Sequence, residues 1–171
     1  MSADMRRVKF TLSDRLVLVP VEFVQILLPL IIVCGILFFT VGLIPSLAVA
    51  SAIIAGTVLF PALLPWLPTR NFSTKGFILG GIVAATFGLA HILNNLFQPW
   101  YFILISTTAF LLALPPITSF LALNFTGAST FTSRSGVRKE INIYFPVMVW
   151  SGAAGIVLFL VSIILSLTGG R

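Results

Sequence analysis

The chain has 171 residues, of which 58% are hydrophobic and only 8% charged, with a net charge of +6 and a mean hydropathy of +1.14. Soluble domains carry about 25% charged residues, so this composition excludes a water-soluble core; too few polar side chains exist to cover one. The basic residues sit in short segments between apolar runs, which argues for a membrane partner and against nucleic acid.

A basic lead of residues 1–20 comes first, with Arg6, Arg7, Lys9 and Arg15. It is not a secretory signal, because the apolar run after it is too long and no small-residue cleavage site follows. About 20 apolar residues are needed to cross a bilayer, and five stretches qualify: 21–43, 45–66, 76–97, 100–123 and 145–167. The runs are unbroken rather than alternating, so strands are excluded and helices expected. The fold class is therefore an all-α integral membrane protein, a single domain built as a five-transmembrane-helix bundle.

In the first span stands the lone Cys34, which cannot form an internal disulfide and reads as a small packed hydrophobe. The connection "TVGLIPS" (40–46) predicts a tight helical hairpin to the second span. There Ala48, Ala52 and Gly56 recur every four residues, as do Gly76 and Gly80 on the third span and Ser151 and Gly155 on the fifth. Small residues at this spacing mark where membrane helices approach closely. Prolines end the second span, and Pro115-Pro116 inside the fourth is expected to kink it and free carbonyls. Trp66, Trp100, Tyr101 and Tyr144 fall near the span ends, as an aromatic belt would.

Orientation follows from Lys and Arg. Nine of the ten, namely Arg6, Arg7, Lys9, Arg15, Arg70, Lys75, Arg134, Arg138 and Lys139, fall on one side, and only Arg171 falls on the other. By the positive-inside rule the N-terminus is cytoplasmic and the C-terminus external. The sequons Asn71-Phe72-Ser73 and Asn124-Phe125-Thr126 then lie on the cytoplasmic face, where glycosylation does not occur.

Polar residues inside spans are few. Glu22 opens the first span and reads as an interfacial carboxylate. His91, Asn94 and Asn95 share a helix face near the outer end of the third; they form either an external polar site or an interhelical contact. One histidine and one cysteine make no metal cluster and no catalytic triad, so the chain alone holds no catalytic residue, metal or cofactor site. The richest polar stretch is the loop 124–143. There Thr126, Ser129, Thr130, Thr132 and Ser133 stand beside Arg134, Arg138 and Lys139, with Phe125, Phe131 and Val137 interleaved. Hydroxyls, glycine amides and cations together can receive an anionic partner, cofactor group or lipid headgroup; the plain alternative is an ordinary positive-inside loop.

Three segments carry a resemblance: "MRRVKFTLSDRLVLVPVEFV" (5–24), "GTVLFPALLPWLPTRNFSTKGFILG" (56–80) and "LNFTGASTFTSRSGVRKEI" (123–141). In the same order and with five spans, over nearly the whole chain, they resemble the C-terminal membrane domain of the mercury-methylating corrinoid proteins, the HgcA family. That resemblance implies a cytoplasmic corrinoid-binding domain, methyl transfer to Hg(II), and a ferredoxin-like partner with 4Fe-4S clusters. The chain departs from the family in lacking the Trp-Cys cap helix, so Cys34 is not carried over as the cobalt ligand. Corrinoid and 4Fe-4S clusters are expected only on partner proteins.

The reading that follows is a membrane anchor and docking module for such a system, in the cytoplasmic membrane of a prokaryote. It is either a stand-alone subunit, which Met1 and the short lead favour, or a fragment of a longer chain. The alternatives are a small transporter or permease component for a metal, thiol complex or cobamide-related solute, and a purely structural membrane protein.

Overall fold

The structure is a computed structural model that describes residue 17 and residues 19–69, 71–128 and 134–169, without the side chains of 126–128, 134–137 and 169. Among the described residues there are five long helices and no strand: α1 (Val19–Thr40), α2 (Leu43–Leu63), α3 (Phe72–Asn94), α4 (Trp100–Ala128) and α5 (Arg134–Gly169). Each is long and apolar enough to cross a membrane.

The hairpin between α1 and α2 is as tight as its sequence predicts. Only Val41 and Gly42 lie between the helices, and both amides return to the Leu37 carbonyl, at 2.9 and 3.0 Å. Gly42 has φ +118°, a conformation that a side chain would strain. Lower in the hairpin the Ser46 hydroxyl donates to the Cys34 carbonyl at 2.9 Å, and the Cys34 thiol faces the Ser46 carbonyl at 3.6 Å. Cys34 is thus a packing residue of the α1–α2 contact, as its surroundings in the sequence imply.

Helix α4 is the centre of the bundle, packed most extensively against α3 and α5 and also against α2. Its neighbours reach it through glycine. A Cβ built on Gly76 would stand 2.5 Å from the Ser119 Cα, one on Gly80 2.6 Å from the Pro115 Cα, and one on Gly155 2.6 Å from the Ala113 nitrogen. Those separations are too short for any side chain, so Gly76, Gly80 and Gly155 of the expected small-residue stripes mark close backbone approach, whereas the Ser151 hydroxyl bonds back to Val147 and Met148 of its own helix. Ala48 and Ala52 are likewise wholly buried, with Ala84, Phe110 and Leu114.

Hydroxyls fasten these crossings. Thr118 donates to the Ala52 carbonyl of α2 at 3.1 Å, and Ser119 donates to the Ser73 carbonyl of α3 at 2.8 Å. Just beyond Ala52, α2 widens into a π-helical turn, Ala55–Leu59. Gly56 in that turn faces Leu121 of α4, where a Cβ would approach to 2.8 Å.

Helix α4 continues through Pro115-Pro116; Pro115 packs toward Gly80 and Pro116 toward Gly152. One expectation changes. The stretch 124–143, read as a loop, is helical over most of its length. Helix α4 continues to Ala128 and α5 begins at Arg134, eleven residues before the expected apolar span at 145. Hydropathy marks where a chain avoids water, whereas helical hydrogen bonds continue past that limit. Phe125 also leaves the candidate loop: it is 2% exposed and meets Phe60 edge-on at 6.0 Å, in a core cluster with Ala55, Leu79 and Ala122.

Candidate functional site

The up-and-down order brings two sets of helix ends together. The starts of α1, α3 and α5 and the ends of α2 and α4 form the end that carries the basic residues. The α1–α2 turn, the end of α3, the start of α4 and the end of α5 form the other.

At the basic end, α3 begins at Phe72 after an N-cap residue, Asn71, whose side chain makes no capping bond. The free amides are taken by α5 instead. The Glu140 carboxylate accepts from the Phe72 N–H at 3.3 Å, the Ser73 N–H at 3.2 Å and the Ser73 hydroxyl at 3.1 Å. A carboxylate here satisfies orphan donors and complements the positive end of the helix dipole. Asn71 turns to donate to the Tyr144 hydroxyl at 3.0 Å, one turn along α5. Lys75 donates to the Leu64 carbonyl at 2.8 Å, closing the end of α2. A small cleft of about 220 Å³ lies between Asn71, Lys139, Glu140, Ile143 and Tyr144.

Of the eight residues expected to form an anion-docking surface, Arg138 and Lys139 are placed with their side chains, and both are exposed. They stand immediately before Glu140, so one turn of α5 both fixes itself to α3 and presents two cations outward. Ser129, Thr130, Thr132 and Ser133, and the side chains of Thr126 and Arg134, lie outside the described residues. Glu140 itself was missing from the expected set. Its role depends on Ser73, 67 positions away, and no local spacing reveals that.

At the opposite end, His91, Asn94 and Asn95 do come together. Asn94 donates to the Ala90 carbonyl at 2.8 Å, and Asn95 donates to the His91 carbonyl at 2.9 Å while standing 3.4 Å from His91 Nδ1. Both amides therefore bond back onto carbonyls near the end of α3. The three residues line a cavity of about 510 Å³ to which all five helices contribute, including Thr40, Ser106 and Ser162. The His91 ring is set between Phe102 and Phe110, with centroids at 6.1 and 5.5 Å, and its buried Nε2 has no hydrogen-bond partner. That end is closed by local bonds within α3, whereas the basic end is closed by bonds between helices.

Among the described residues no group of three His, Cys, Asp or Glu side chains could hold a metal ion. Compared with protein-family models, curated proteins and solved structures, the chain matches none.

Proposed function

We propose that the chain is a multi-pass protein of a prokaryotic cytoplasmic membrane, with its N-terminus inside and its C-terminus outside. In this reading it serves as the anchor and docking module of a corrinoid-dependent methyl-transfer system. The observation that carries the docking part is Glu140. Its carboxylate locks the start of α5 onto the start of α3, and Arg138 and Lys139 beside it stay exposed. A docking surface needs cations held on a rigid support, because flexible side chains and backbone lose entropy on binding.

Helix length supports the same reading. At 36 residues α5 extends about 54 Å, well beyond a hydrocarbon core of about 30 Å even at an ordinary tilt of about 20°. Its first turns therefore project into the aqueous layer. Orientation rests on the nine basic residues at that end. The corrinoid partner, and a ferredoxin-like protein carrying 4Fe-4S clusters, rest on the three segments quoted above. Methyl transfer itself would occur on the partner's corrinoid.

Co-purification tests the proposal. The tagged full chain, taken from its native membranes in mild detergent, is expected to bring down a protein with the visible absorption of a corrinoid. Lys139→Glu should lower that recovery about tenfold, in line with reversing one charge at a polar interface. Wild-type chain that recovers no corrinoid protein would remove the reading.

The cavity around His91 favours a second reading, a permease component for a small polar solute. His91→Ala with Asn94→Ala would then abolish uptake into vesicles, whereas unchanged flux would leave the cavity a packing defect.

A further inference from the structure

An apolar groove in the bundle lies between α1 and α5. Helix α1 packs chiefly on α2, so it stands apart from α5 and leaves a groove of about 560 Å³ floored by α4. Ile26 and Pro29 form one wall, Phe145, Val149 and Gly152 the other, and Pro116 lies in the floor. No hydroxyl or charged side chain lines it. Ile26, Pro29, Pro116, Phe145 and Val149 belong to the halves of their helices nearer the basic end, and Gly152 lies at the middle of α5.

Helical register places charges at the mouth of this groove. At 100° per residue, Arg138 falls within about 20° of Phe145 and Ile156 around α5 and lies about 10 Å above Phe145 along the axis. Lys139, a further 100° around, faces away from the groove. On α1, Glu22 falls between Ile26 and Pro29 in angle and about one turn above Ile26. The mouth therefore carries one cation on the α5 wall and one anion on the α1 wall, above an apolar slot. Arg138 is exposed and Glu22 partly so.

We propose that this groove binds one phospholipid with a zwitterionic aminoalkyl headgroup, phosphatidylethanolamine being the simplest. An acyl chain lies along Pro116 and Gly152, the phosphate meets the Arg138 guanidinium, and the ammonium meets Glu22. A guanidinium suits a phosphate because it donates two parallel hydrogen bonds. The opposed charges of Arg138 and Glu22 at the mouth match the two charges of a zwitterion. The site separates the roles of the neighbouring cations: Arg138 holds lipid while Lys139 remains for a protein partner. The proposal depends on membrane insertion and is independent of the corrinoid reading.

Native mass spectrometry of the detergent-purified full chain tests it without any partner protein. The wild type is expected to retain one phosphatidylethanolamine and to rebind it in preference to phosphatidylglycerol. Arg138→Ala should lower retention about tenfold, the scale of one lost charge-assisted hydrogen bond. Glu22→Gln should keep a lipid but remove the preference for the ethanolamine headgroup. Ala153→Phe, at an exposed position on the groove wall, should exclude the lipid while leaving the thermal unfolding midpoint within a few degrees of wild type. Equal retention by the wild type, Arg138→Ala and Ala153→Phe would overturn the proposal, as would a wild type that prefers phosphatidylglycerol.

Discussion

Helices α1 and α4 are both apolar and both contain proline, yet they hold opposite places in the bundle. Helix α1 is the most apolar of the five and buries none of its residues. Helix α4 is the least apolar and lies at the centre, with Ser106, Thr118 and Ser119 buried along it. A soluble protein would sort them the other way. The order is that of a bundle in lipid, the proposed setting, where no hydrophobic force draws one apolar helix to another and position follows from how closely backbones approach and which hydroxyls bond across. Glycines on α2, α3 and α5 meet α4, whereas Gly35 on α1 has nothing within 4 Å.

The largest effects are expected where that sorting is made. Gly76→Ala and Gly155→Ala each place a Cβ within 2.6 Å of an α4 backbone atom, and each should cost about 1–3 kcal/mol by forcing helices apart. Gly35→Ala and Gly81→Ala add a methyl to open space and should be neutral or stabilise by a few tenths to about 1 kcal/mol through helix propensity. Thermal unfolding of the four variants in one detergent measures the difference. If all four behave alike, close approach is not what centres the bundle on α4.

A middle-sized effect is expected at Glu140, which ties α5 to α3 from outside the apolar region. Glu140→Ala leaves the Phe72 and Ser73 amides without their acceptor and should cost about 1 kcal/mol, as loss of a helix N-cap does. Glu140→Gln keeps an acceptor but loses the charge, so roughly half of that should return. Hydrogen exchange of the first turn of α3 gives a local readout. Unchanged protection of Phe72 and Ser73 in Glu140→Ala would show that the cap is ornamental.

These contrasts also define what could be read from the sequence. Five helices were legible because lipid demands runs of about 20 apolar residues, and the observed elements begin and end within a few residues of those runs wherever the chain turns promptly. The close approaches at Ala48–Gly56, Gly76–Gly80 and Gly155 were legible too, since a small residue every fourth position has few other uses in an apolar helix. The start of α5 was not. Residues 134–144 are polar, and hydropathy cannot distinguish a helix that has left the apolar zone from a loop. The pairing of His91 with Asn95 was visible as an i,i+4 spacing, but its use in closing the end of α3 depends on which carbonyls lie bare. Glu140, the π-helical turn at Ala55–Leu59 and the groove between α1 and α5 all arise from partners distant in the chain, and single-sequence patterns carry no record of those.

The smallest effect is expected where α1 joins the rest. Its polar tie is the Ser46 hydroxyl on the Cys34 carbonyl, at 2.9 Å. Ser46→Ala removes that bond, and an interhelical hydrogen bond in a membrane protein is worth about 0.6 kcal/mol. The Cys34 carbonyl keeps its place in the α1 helix, so no strongly buried group is orphaned and the global unfolding midpoint should barely move. The local consequence is more informative. With the tie cut, α1 and α2 can part more readily at this level, and labelling of the Cys34 thiol by a small membrane-permeant maleimide should accelerate several-fold over wild type. A labelling rate that does not change would mean that the tight turn at Gly42 alone holds α1 in register, and that α1 is positioned by its connection rather than by its contacts.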